Sequence, residues 1–167
     1  TEMDDHMFNT LEKNILKILV GLVLVITPIS IIGKEYRKWL LCFFLNSYAN
    51  TFVAPALASK GFLKYPVRLF PSIFKSSIIY DYFLCSTITI WYCRTTLKDN
   101  WIRAFWKVWL FAMPQAILEV FFERNTKLIK YGKGWTGIHS LITIAAAKFT
   151  IRTTVKLMDI ADSKNKA

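Results

Sequence analysis

Ile15 to Ile32 reads ILKILVGLVLVITPISII, and this stretch decides the fold class. About 20 mainly apolar residues of helix are needed to cross the hydrocarbon of a bilayer, with a range near 17–25. The run meets that requirement. Lys17 lies near one end and can extend its ammonium to the headgroups. Pro28 is tolerable because neighbouring helices can satisfy the carbonyl it frees. The residues before the run, Thr1-Glu2-Met3-Asp4-Asp5-His6, are acidic, whereas a signal peptide opens on a basic region. The run is therefore expected to stay as a membrane anchor, with residues 1–14 as a polar lead-in.

Working outward, the whole chain fits this reading. Of its 167 residues 54% are hydrophobic and 16% aromatic. Soluble domains average roughly 45–50% apolar residues with glycine included. After the connector Gly33 to Lys38, a second span is expected over Trp39–Ala58, opening on an interfacial tryptophan. Asn46 and Asn50 sit one turn apart inside it, so they share a face that should look into the protein. A third span is expected over Ser77–Cys93, a fourth over Trp101–Phe122 with Pro114 kinking it, and a fifth over Trp135–Ile151. The tail 152–167 reads as polar and frayed. The expected architecture is an all-α, polytopic transmembrane helix bundle of about five spans.

Between the second and third spans, KGFLKYPVRLFPSIFK (Lys60 to Lys75) mixes apolar and basic residues at helical spacing, with Pro66 and Pro71 forbidding one long helix. This is the pattern of an interfacial amphipathic element, apolar side down and cations up.

The formal charge is +11 from 22 Lys and Arg against 11 Asp and Glu. The cations sit at the ends of apolar runs and in connectors, which suits anionic lipid headgroups and not a nucleic-acid groove. No helix-turn-helix or RNA-recognition signature occurs, so no nucleic-acid partner is expected. Across connectors the basic residues are nearly balanced; the acidic start and basic end favour an outside amino terminus and a cytoplasmic carboxyl terminus. Cys42, Cys85 and Cys93 form no close CxxC pair, so neither a disulfide framework nor a metal site is expected.

A series of short motifs follows in order: Lys64-Tyr65-Pro66-Val67-Arg68, Tyr80-Asp81-Tyr82-Phe83, Pro114-Gln115-Ala116-Ile117-Leu118-Glu119, and Asn125-Thr126-Lys127-Leu128-Ile129-Lys130-Tyr131 ahead of Trp135. From Lys64 onward this series resembles an uncharacterised family of small multi-pass membrane proteins from spore-forming Gram-positive bacteria. Members often carry Tyr where this chain has Asn125, and a second Pro after the third-span aromatics that this chain lacks. The resemblance implies a bundle in the bacterial cytoplasmic membrane with no established biochemical activity.

Charged groups within membrane segments call for a function and a partner. Topology alone puts Lys64, Arg68, Asp81, Glu119, Glu123, Arg124 and His139 at one level of the bundle. Three readings compete: an ion-pair layer that fixes helix register, a site for a lipid headgroup or another membrane protein (self-association included), and a proton path through Asp81, Glu119 and His139 in an oligomeric transporter. In the second, Lys64, Arg68 and Arg124 would hold phosphate. HExxH, GxSxG and phosphate-loop patterns are absent, so no enzyme, catalytic residue or cofactor is expected.

Overall fold

A computed structural model describes residues 2–67 and 76–165. Five α-helices dominate: α1 (Glu2–Ile31), α2 (Tyr36–Ser59), α3 (Cys85–Thr96), α4 (Trp101–Asn125) and α5 (Gly137–Asn165). A π-helical turn, Ile78–Leu84, leads directly into α3. Three helical stretches are long and apolar enough to cross a membrane: Thr10–Ile31, Tyr36–Ser59 and Trp101–Asn125.

The helices run up and down beside one another. At one end the two-residue strands β1 (Leu63–Lys64) and β2 (Lys130–Tyr131) pair antiparallel, Leu63 opposite Tyr131. This ladder ties the connector after α2 to the one after α4, and Val67 N donates to Lys127 O at 3.2 Å beside it. The turn into α5 is made by Lys133 and Gly134, both at positive φ, where glycine carries no Cβ penalty. At the opposite end α2 and α5 meet through the Lys38–Asp159 ion pair at 2.6 Å.

Polarity is inverted relative to a water-soluble bundle. Ile18, Leu24, Ile29, Phe44, Phe52, Ile102, Leu110 and Ile117 are all more than half exposed, on α1, α2 and α4. The interior holds Thr27, Ser30, Asn46, Ser86, Thr87, Thr89 and Gln115, all buried. Helix α3 is the centre, with most of its residues buried among α1, α2, α4 and α5. Hydroxyls stitch it to its neighbours: Thr27 and Thr87 Oγ1 lie 2.8 Å apart, and Asn46 Nδ2 donates to Ser86 Oγ at 3.0 Å. Such bonds hold helices together where lipid tails supply no hydrophobic drive between them.

Several expectations are corrected. The described part of the interfacial element, Lys60 to Val67, is a turn and a short strand and not a helix; residues 68–75 lie outside the described residues. The ladder is a small exception to an all-α chain. The tail after Ile151 is not frayed, because α5 continues to Asn165 with Arg152 and Val155 fully buried. The lead-in before Ile15 is helical from Glu2, continuous with the apolar run.

Candidate functional site

The site begins with the π-helical turn. Ser77 N donates to Asp81 Oδ2 at 3.0 Å, and Asp81 N returns a bond to Ser77 O at 2.7 Å. The side chain of Asp81 thus caps the turn that carries it. Turns of this i→i+5 kind are rare and cluster at functional sites. The consecutive residues Tyr80 and Asp81 both become buried and both line one cavity. Asn50 Nδ2 donates to Asp81 O, fixing the turn against α2.

Two tyrosines bring donors to two carboxylates. Tyr65, which follows β1, points its hydroxyl at Asp81 Oδ1 (3.4 Å). Burial, then the Asp81 carboxylate, pushes the Tyr65 phenol well above its ordinary range, so it stays a neutral donor. Glu119 of α4 accepts from Ser140 Oγ of α5 at 2.6 Å and from Tyr80 OH at 3.3 Å. Trp135 Nε1 in turn donates to Ser140 Oγ at 2.8 Å. Burial, then Glu119, also raises the Tyr131 phenol, which the β1–β2 ladder holds above the same carboxylate.

Tyr65, Tyr80, Asp81, Glu119, Trp135 and Ser140 line a cavity of about 100 Å³ that also includes Cys85, Gln115 and Lys148. Gln115 Nε2 donates to Cys85 Sγ at 2.9 Å, while Gln115 Oε1 is buried with no hydrogen-bond partner. Lys148, 2% exposed, donates to Thr89 Oγ1 at 3.1 Å. From Thr89 a polar chain continues through Asn46 Oδ1 (3.2 Å) to Ser86 and Ser47.

Comparison with known protein families, with curated proteins and with solved structures gives no match. The chemistry of the cavity has to be argued from its own residues.

Of the residues expected in one charged layer, the structure brings together Asp81 and Glu119. Lys64, Arg124 and His139 are exposed. The His139 ring engages Thr136 Oγ1 at 2.8 Å and packs on Trp135, away from both carboxylates. Glu123 is half-buried, and its backbone carbonyl accepts from Lys130 Nζ. Arg68 lies outside the described residues. Among the described residues no ion pair joins Asp81 or Glu119 to a cation; the pairs found are Lys38 with Glu35 and Asp159, and Asp99 with Arg103 and Lys107. Among the described residues the two acids meet hydroxyls and the Ser77 amide, and no opposite charge is paired with them.

Lys148 falls in the apolar run Trp135–Ile151, where its type and spacing alone do not place it in the cavity. Glu12 was missed altogether: it is fully buried, and its Oε1 accepts from Lys127 N at 2.8 Å. A lone acid followed by an apolar run gives no signal for that contact. Among the described residues no group of three or more His, Cys, Asp and Glu could hold a metal ion. Cys42 and Cys93 touch, Sγ to Sγ at 3.3 Å, as free buried thiols.

Proposed function

We propose that this chain is an integral protein of the bacterial cytoplasmic membrane that crosses it five times. We further propose that it binds a polar group inside its bundle and catalyses no reaction. Beyond the three apolar helices, two more elements have the reach. The π turn and α3 together hold 7 and 12 residues, at most roughly 28 Å at about 1.5 Å each, slightly less than the hydrocarbon thickness but within the range of about 17–25 residues that cross it. Helix α5 holds 29 residues, roughly 43 Å on the same basis. The hydrocarbon is about 30 Å thick. Both are too polar to stand alone in lipid, and α3 does not need to: its neighbours shield it. The resemblance to a family of multi-pass proteins points the same way.

The observation that carries the binding reading is the cavity itself. Two buried carboxylates, an unpartnered amide oxygen and a buried ammonium line one void inside an apolar shell. Buried polar groups are costly unless something satisfies them. A membrane protein keeps such groups inside where a ligand or path uses them.

Native mass spectrometry of the protein in mild detergent, before and after lipid stripping, tests this. Retention of an anionic or zwitterionic lipid, a small solute or a second chain supports binding, and Asp81→Asn or Glu119→Gln should weaken it. Retention unchanged by both substitutions refutes the assignment to this cavity. Resistance to alkaline extraction, with alternating accessibility of cysteines introduced in the four connectors, tests the five crossings.

A second reading is a small proton-coupled transporter or channel subunit acting as an oligomer. The shared placement of Asp81 and Glu119, with the hydroxyl chain from Lys148 to Ser47, favours it. Proton flux in proteoliposomes decides between the two.

A further inference from the structure

Resting on the binding reading above, we propose that the cavity takes a zwitterion whose ammonium and anionic oxygen are separated by a short carbon spacer. The class includes the aminoethyl-phosphate group and ω-amino acids. The ammonium would lie at Asp81 and Glu119, and the anionic group at Lys148.

The cavity is polar in a directed way. Its acidic end is the ladder end, where among the described residues Asp81 and Glu119 accept bonds from Ser77 N, tyrosine hydroxyls and Ser140. Its basic end lies deeper, where the Lys148 ammonium has one described partner, Thr89 Oγ1. An ammonium carries three donors, so two remain for a ligand. Between the ends, Gln115 Oε1 offers an unpartnered acceptor at 3% residue exposure. A simple cation would satisfy the acidic end and be repelled by Lys148. A simple anion would do the reverse. Only a molecule with both charges completes both ends.

The spacing narrows the class. Thr89, which bonds the Lys148 ammonium, follows Asp81 by eight positions, the first of them in the tighter π turn, so the two backbone levels are roughly 10–12 Å apart along the axis. Ser140, which marks Glu119, precedes Lys148 by the same number of positions on α5. Hydrogen bonds of about 2.8 Å at each end leave roughly 4–6 Å between the ligand's charges. An α-amino acid is too short for that span. An aminoethyl phosphate or γ-aminobutyrate matches it. The orientation also suits a lipid headgroup, with the ammonium toward the bundle end and the phosphate deeper.

The test uses the full chain in nanodiscs of phosphatidylcholine, whose quaternary ammonium has no N–H to donate. Thermal shift and calorimetry are run with ethanolamine phosphate, γ-aminobutyrate and glycine, with the single-ended controls ethylamine and methyl phosphate, and with phosphatidylethanolamine added to the disc. A spaced zwitterion should bind at least about tenfold tighter than either control or glycine. Lys148→Met should abolish that preference while ethylamine still binds. If only the lipid binds, its source is the membrane; if the free probes bind, a solute is the ligand, and either supports the class. Ethylamine or glycine binding as tightly as the spaced probes in the unaltered protein overturns the zwitterion and leaves interior binding standing. No binding by any probe or lipid removes both.

Discussion

Arg152 gives the sharpest test of the packing at the end opposite the ladder. It is fully buried, its Nη2 donates to Thr96 O and Asp99 O at 2.7 Å each, and its guanidinium lies 4.9 Å from the centre of the Trp101 ring. The two carbonyls belong to the end of α3 and the turn after it, where helices leave carbonyls unpaired. Replacing a whole buried ion pair with apolar residues can be neutral. Here the partners are backbone carbonyls that no substitution removes. Arg152→Met would take one bond from each carbonyl: Thr96 O keeps a bond from Asp99 N at 2.9 Å, and Asp99 O one from Lys156 Nζ at 2.7 Å. A hydrogen bond to a charged group is worth about 1.5–3 kcal/mol net, and a cation–π contact about 0.5–2 kcal/mol. Some of this is returned, because Nε and Nη1 have no partners and their burial is relieved. The expected loss is about 2–4 kcal/mol, which for a chain of this size lowers Tm by about 4–16 °C. Arg152→Lys keeps the charge without the fork or the stacking and should fall between. Circular dichroism melts of the purified protein in one detergent measure the series. A methionine variant that melts with the parent protein would refute the claim that these carbonyls depend on Arg152.

Gly137→Ala should cost about 1–3 kcal/mol by overpacking, since a Cβ there meets Val120 Cγ2 at 2.7 Å; adding Val120→Ala should restore most of the melting temperature in a double-mutant cycle. Asp99 is held below the usual carboxylate range by its hydrogen bond and charge contact with Lys107, then by Arg103. Its folded-state value is therefore lower than its unfolded one, so its contribution is complete above the unfolded value, near 3.9, and is lost as pH falls through the folded one. Melts from neutral pH downward should show this acid loss in the parent and less of it in Lys107→Met; equal slopes would contradict it. Trp91→Phe should cost about 1 kcal/mol through loss of the 2.7 Å bond to Ser30 Oγ, and Ser30→Ala should add nothing further in that background.

Apolar length was legible wherever lipid-type surface dominates, as in α1, whose outward Ile18, Leu24 and Ile29 stay exposed. Asn46 and Asn50, read as inward-facing from their spacing, bond to Ser86 and to Asp81 O. What spacing cannot supply is the face a residue presents at a known level. His139 and Ser140 share a level, but Ser140 turns to Glu119 and His139 turns out. The end of α5 was misjudged because hydropathy stops at Ile151, although Lys148, Ile151, Arg152 and Val155 continue one buried helical stripe. The π turn and the two-residue strands leave no period to read, since each is fixed by contacts distant in sequence.

The placement of the cavity follows from what surrounds α3. A helix shielded by four others can carry Ser86, Thr87 and Thr89 without meeting lipid, and their hydroxyls can satisfy themselves locally, as Thr89 does against Cys85 O at 2.8 Å. The ionisable groups Asp81, Glu119 and Lys148 take bonds from other elements of the chain, Tyr65 for Asp81, Ser140 and Tyr80 for Glu119 and Thr89 for Lys148, and all three line the same void. Had they served only to fix helix register, direct pairing would have been the cheaper arrangement, because an ion pair offsets part of its own desolvation. Instead, among the described residues, neither acid pairs with Lys148, and Cys85 and Gln115 line the same void with them. Opposite charges held apart across a cavity, with hydroxyls steadying each end, are the arrangement that the proposed zwitterion would complete.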